Sequence, residues 1–158
     1  MELAYSTGSK LIMETNPKII LFQCQWCLYS EPDQQWVDHE LPPSIHLVKT
    51  PCTGRINPLY ILNAIQGGAD GIIVSGCRPE KCHFKEGNLS ALRQHDEFLN
   101  LLDYVGYERD RIRFVWLDLQ DRGRIQREIA EFETYLTHFG SANTLATRVN
   151  AQVGGING

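Results

Sequence analysis

The chain has no apolar run near the roughly 20 residues that a membrane-spanning helix requires, so membrane insertion is not expected. The stretch from Met1 to Pro17 carries no hydrophobic core of a secretory signal, which points to a cytoplasmic protein. A surplus of positive charge is also missing. Fifteen Lys and Arg stand against 19 Asp and Glu, a formal net charge of −4, and that balance fits neither nucleic acid nor an anionic membrane as a partner. The signature loops of several enzyme classes are absent too: there is no G-x-S-x-G turn, no Walker loop and no G-x-G-x-x-G. What the chain does have is five cysteines, an odd number. In a reducing compartment such thiols serve metal binding or redox chemistry more often than cross-linking.

The remaining composition, 42% hydrophobic and 22% charged over 158 residues, is that of one globular domain with a real core. Residues 1–16 are polar and aperiodic and read as a flexible N-terminal arm, residues 17–140 as the folded domain, and residues 141–158 as a Gly- and Asn-rich tail. Four short apolar runs, Ile19 to Phe22, Ile45 to Val48, Gly71 to Val74 and Ile112 to Leu117, have the character of buried strands. His46, within the second run, reads as a packed or edge histidine rather than a ligand.

Helical segments alternate with these runs. Pro32 to Leu41 is a weak candidate stopped by Pro42-Pro43. Asn57-Pro58 reads as a cap and first turn, Ile61, Leu62 and Ile65 as the apolar face, and Gly67-Gly68 as the stop. A longer helix is expected over Leu89 to Val105, with Leu89, Leu92, Leu99 and Leu102 on one face and Phe98, Leu101 and Val105 beside them, ended by Gly106. Asp121 is expected to cap a last helix bearing Ile125, Ile129, Phe132, Leu136 and Phe139, closed by Gly140. Strands alternating with helices over short connections predict an α/β fold, a four-stranded doubly wound parallel sheet of flavodoxin- or Rossmann-like type.

In an open parallel sheet the connections after the strands emerge at one edge, where such folds place ligands. Cys24, Cys52 and Cys77 lie two to four residues beyond Phe22, Val48 and Val74, so three successive connections bring a thiol to that edge. Cys82 can fold back as a fourth, and Cys27 is a fifth. Four thiolates suit an iron–sulfur cluster or zinc. Gly54, Gly76 and Gly87 leave backbone N–H groups open toward the sulfurs, and Arg55 and Arg78 are candidates to offset a cluster's negative charge. His83 is a candidate hydrogen-bond donor or alternative ligand, and Trp26 a packing residue over the site. With no other catalytic set visible, an electron carrier is favoured over an enzyme acting alone.

Three motifs, Phe22-Gln23-Cys24-Gln25-Trp26-Cys27, Cys52-Thr53-Gly54-Arg55-Ile56-Asn57-Pro58 and Gly68-Ala69-Asp70-Gly71-Ile72-Ile73-Val74-Ser75-Gly76-Cys77, are followed by Cys82-His83-Phe84. Together, over roughly residues 18–139, they resemble the delta subunit of the methyl-viologen-reducing hydrogenase. The resemblance implies a 2Fe–2S cluster held by Cys24, Cys52, Cys77 and Cys82, with Cys27 as an alternate ligand. A set that pairs Cys24 with Cys27 and leaves Cys52 spare stays open. It also implies an electron-transfer subunit of an oxidoreductase complex. Its partners would be a hydrogenase or other dehydrogenase and a flavin-containing heterodisulfide reductase A-type subunit. Two rival readings are a zinc-binding structural module and a thiol–disulfide oxidoreductase built on Cys24-Gln25-Trp26-Cys27.

Overall fold

The four apolar runs pair as one sheet in the computed structural model, which describes residues 16–104 and 106–140. The strands are β1 (Ile19–Cys24), β2 (Ile45–Thr50), β3 (Gly71–Cys77) and β4 (Ile112–Leu117). They run parallel in the order β2-β1-β3-β4. Between and after them lie α1 (Glu31–His39), α2 (Pro58–Gln66), α3 (Gly87–Tyr104) and α4 (Arg124–Phe139). This is the doubly wound α/β architecture expected from the alternation. The expected tail, 141–158, and all of the expected arm, 1–16, except Asn16 lie outside the described residues, as does Val105.

Alternation along the two central strands assigns each face of the sheet its helices. Ile19, Leu21 and Ile73 point to a core built with Val37 of α1 and Ile125, Ile129, Phe132 and Leu136 of α4. Phe22, Ile72 and Val74 point to the other face, against Ile61 and Ile65 of α2 and Phe98 and Leu102 of α3. The central strand β3 is buried along its whole length, as its unbroken apolar run requires. His46 is exposed on the edge strand β2, consistent with its reading as an edge residue. At the start of β3, a Cβ on Gly71 would stand 2.5 Å from Leu136 Cδ1, so α4 seats directly on glycine backbone.

Capping chemistry explains two helix starts. The Ser30 hydroxyl accepts from the Asp33 N–H at 3.2 Å with Pro32 in the first turn, and Asn57 Oδ1 accepts from the Leu59 N–H at 2.9 Å with Pro58 after it. The last helix differs from expectation. Its cap is Gly123, in the left-handed region at φ 69°, and Asp121 instead takes ion pairs from Arg124 and Arg127 at 3.1 and 2.8 Å. Charge pairing with two arginines satisfies that carboxylate without the N–H groups of the helix. Asp33 Oδ1 reaches across to accept from the Gly123 N–H at 3.0 Å.

The long helix also corrects the sequence expectation. It begins at Gly87, and its buried face is Asn88, Ala91, His95, Phe98 and Leu102, while Leu89 and Leu101 are exposed. Polar residues on the true face hide the period. His95, 2% exposed, packs edge-on against Phe114 with centroids 4.9 Å apart, and neither ring nitrogen has a partner. Burial pulls its pKa from 6.5 down to about 4, against the opposing pull of Asp96. The folded chain therefore binds fewer protons than the unfolded one in that interval, and stability present above pH 6.5 is lost as pH falls toward 4. The loss amounts to about 3 kcal/mol across the interval. His95→Phe is expected to flatten this dependence. Urea midpoints measured from pH 7 to pH 4.5 check it, and an unchanged slope contradicts it.

Candidate metal centre

Strand pairing carries the cysteines further into the sheet than the apolar runs suggest. Polar Gln23 and Ser75 end those runs, yet the ladder continues, so Cys24 and Cys77 are the last residues of β1 and β3, and Cys77 pairs with Leu117. The two thiols therefore stand at the β1/β3 crevice, where this strand order reverses direction. Their sulfurs are 4.0 Å apart and both residues are buried.

A second pair forms beside the first. Cys52 lies just past β2, before the tight turn Thr53–Arg55, and its Sγ is 3.9 Å from Cys82 Sγ. Cys82 reaches it from the β3–α3 connection, where Glu80 and Lys85 both hold left-handed backbone, φ 68° and 67°. Non-glycine residues in that region cost about 1 kcal/mol or more each and cluster at functional sites. Two glycines make the approach of α3 possible. A Cβ on Gly87 would lie 2.4 Å from Cys52 Sγ and 3.4 Å from Cys82 Sγ, and one on Gly54 would lie 2.6 Å from the Gly87 carbonyl oxygen. The N-terminus of the 18-residue α3, with its positive end, meets the Cys52–Cys82 pair, and Glu86 stands just before it.

Each of three thiols is met by a backbone N–H: Trp26 for Cys24, Gly54 for Cys52 and His83 for Cys77. Cys77 is held well below the ordinary thiol range, first by its contact with the Cys24 thiol and then by the nearby Cys27. Cys24 gains a lowering contribution from Cys27, but Cys77 and burial outweigh it and leave Cys24 pushed up to about 11. Burial raises Cys52. The Tyr29 hydroxyl is turned to Cys77, and burial, then that sulfur, pushes its own pKa up.

Cys27 is placed differently from the other four. It is 1% exposed, accepts from Gln23 Nε2 at 2.9 Å, and donates toward the Cys24 carbonyl at 3.2 Å. Its neighbours Cys24 and Cys77, with burial, push its thiol strongly up. Of the buried polar atoms left without a partner, Gln23 Oε1 and Ser75 Oγ belong to residues that touch Cys27. Such exceptions concentrate at functional centres.

The surrounding residues sort themselves by contact. Gly54 supplies an N–H to sulfur as expected, but Gly76 serves packing: a Cβ there would lie 2.7 Å from Thr53 Cγ2. Arg78 turns away to Asp118, at 2.7 Å, and holds that carboxyl below its usual range, so it does not face the thiols as expected from sequence. His83 gives its backbone N–H to Cys77 while its ring stacks on Trp26, with centroids 3.8 Å apart. Trp26 is 43% exposed and Phe84 54%, so an aromatic rim stands at this edge. An open cavity of about 500 Å³ beside Cys52 is lined by Pro51, Arg55, Phe84, Glu86 and Gly87. Sequence reasoning misses Asn88, which is fully buried and donates from one amide nitrogen to the carbonyls of Cys77 and Arg78, both at 2.9 Å. Its one signal in the sequence is an Asn directly after Gly at a helix start.

Two sulfurs on one tetrahedral metal with bonds of about 2.3 Å lie about 3.8 Å apart. Both pairs fit that spacing. Among the described residues, no three His, Cys, Asp or Glu side chains gather tightly enough to hold a single ion. The thiols form two two-sulfur positions rather than one four-sulfur position.

Comparison with known proteins covers most of the chain. Residues 19–140 match the family described as methyl-viologen-reducing hydrogenase, delta subunit. The D-type iron-sulfur subunit of the F420-non-reducing hydrogenase of Archaeoglobus profundus is 35% identical over 128 residues, 80% of this chain and 93% of that one. The D-type vhc iron-sulfur subunit of the F420-non-reducing hydrogenase of Methanococcus voltae is 37% identical over 111 residues, 70% of this chain and 77% of the relative. The A-type subunit of the ferredoxin:CoB-CoM heterodisulfide reductase of Methanosarcina mazei is 34% identical over 125 residues, 78% of this chain but 16% of that much longer one.

Proposed function

The chain belongs to the methyl-viologen-reducing hydrogenase delta subunit family, and from that premise we propose that it is an electron-transfer subunit carrying a 2Fe–2S cluster. The observation that carries this reading is the arrangement of thiols as two pairs, 4.0 and 3.9 Å apart. Cys24 and Cys77 would hold one iron, and Cys52 and Cys82 the other. When bound, such a cluster accepts and releases one electron without bond making in the protein.

The chain's own residues supply the rest. Backbone N–H groups of Trp26, Gly54 and His83 donate to the sulfurs, and the N-terminus of α3 offsets negative charge. Cys27, deep behind the inner pair, acts as a hydrogen-bonding neighbour rather than a ligand. The Cys52–Cys82 side opens on the cavity between Arg55 and Phe84, so electrons would enter or leave there.

Two relatives are named as iron-sulfur subunits of hydrogenases, and a third carries the matching stretch inside a heterodisulfide reductase chain of the A type. The same polypeptide holding both modules supports a flavin-containing, heterodisulfide reductase A-type subunit for one partner here, with a hydrogenase or other dehydrogenase for the other. The C-x-x-C oxidoreductase reading fares worse on burial: Cys24 and Cys27 are 2% and 1% exposed, out of reach of a protein disulfide.

The test is isolation of the native complex under anaerobic conditions. An A-type flavoprotein partner is expected to co-purify, and its reduction to bleach the visible absorption of this chain. Phe84→Glu, placing a charge on the aromatic rim, is expected to weaken that association by roughly tenfold or more, as loss of a central aromatic anchor does. A complex of wild-type affinity would remove the rim from the interface.

A further inference from the structure

We propose that Asn88 is a positioning residue that fixes the spacing between the two thiol pairs. The inference rests on the two-iron reading above and goes beyond the cysteines themselves. Two contacts one residue apart carry it. Gly87 backbone abuts the sulfurs of Cys52 and Cys82, and the Asn88 side chain, fully buried, grips the carbonyls of Cys77 and Arg78 at 2.9 Å each. The first turn of α3 thus touches the outer pair with one residue and the inner pair's strand end with the next.

The carbonyls of Cys77 and Arg78 lie where β3 leaves the sheet, and the connection that follows departs through left-handed Glu80. A side chain with two N–H donors can bond both adjacent carbonyls at once, which is what a primary amide offers and a hydroxyl or carboxylate does not. Without that amide the buried Cys77 carbonyl would draw in water or turn outward, and Cys77 would move with it, while the Arg78 carbonyl keeps the Lys81 N–H at 3.0 Å. The Cys52–Cys82 pair, seated on Gly87, would stay with the helix. A change at Asn88 therefore alters the distance between two metal positions without touching any ligand.

The test compares Asn88→Ala and Asn88→Asp with Leu102→Ala in the protein isolated anaerobically. Leu102 is buried on the same helix face far along from the site, and its truncation weakens folding with no route to the thiols. Both Asn88 variants are expected to lose cluster roughly 10-fold or more faster under a chelator than wild type, the range seen when an outer-shell partner is removed. Their reduced EPR spectra should show shifted g values, which a loss of global stability alone does not produce. Leu102→Ala should keep the wild-type spectrum. Should Asn88→Ala not accumulate, Asn88→Ser, with a single O–H donor, carries the same readouts. Asn88 variants with the wild-type spectrum and a loss rate no faster than that of Leu102→Ala overturn the proposal. Wild-type protein that binds no iron overturns the two-iron reading instead, so the two failures are distinct.

Discussion

Cys77→Ser is expected to abolish cluster retention while leaving the fold in place. Cys77 ends the central strand, takes the His83 N–H, and stands 4.0 Å from Cys24. Serine matches its shape but offers a weak oxygen donor where soft sulfur is needed. Outer-shell changes alone cost roughly 10- to 100-fold at metal sites, so losing a ligand should exceed about 100-fold. The fold should survive, because a buried near-isosteric change costs about 1 kcal/mol. Cys24→Ser, Cys52→Ser and Cys82→Ser should behave alike. Cys27→Ser should keep the cluster, since that thiol is engaged by Gln23 and the Cys24 carbonyl. Visible absorption and EPR of the five variants read the ligand set directly. A cluster retained in Cys52→Ser and lost in Cys27→Ser would reverse the assignment and favour the alternative set.

Gly87→Ala should be nearly as damaging for an unrelated reason. The new methyl would lie 2.4 Å from Cys52 Sγ. In the cluster-free chain that sulfur can rotate away, and alanine near a helix start is intrinsically better than glycine by up to about 1 kcal/mol. With the sulfur tied to a metal, rotation is blocked. The variant should therefore unfold at the same or a higher denaturant concentration than cluster-free wild type, yet fail to hold iron. Wild-type iron content in Gly87→Ala would show that Cys52 does not need this space, and would remove it from the ligand set.

Much of this arrangement is legible in the residues alone. Unbroken apolar runs such as Gly71 to Val74 admit few alternatives to a covered parallel strand, and Asn57-Pro58 and Gly67-Gly68 mark helix ends by backbone chemistry that context rarely overrides. The convergence of cysteine-bearing connections follows from the shared edge of a parallel sheet. What stays hidden depends on through-space partners. Asp121 has the chemistry of a cap, but two arginines one turn on claim it. The buried face of α3 includes Asn88 and His95, so an apolar period that holds at Phe98 and Leu102 wrongly adds Leu89 to the face and Leu101 beside it. Proximity in sequence points Arg78 at the thiols, whereas Asp118, 40 positions away, takes it. Which cysteine sits beside which is likewise a matter of distances that spacing along the chain does not encode.

The most direct measurement is the metal and sulfide content of the anaerobically purified protein, read together with Mössbauer spectra of iron-57-labelled material. The account predicts two irons and two acid-labile sulfides per chain, with the irons antiferromagnetically coupled and each bound by two thiolates. One zinc per chain, with neither iron nor sulfide, would contradict it.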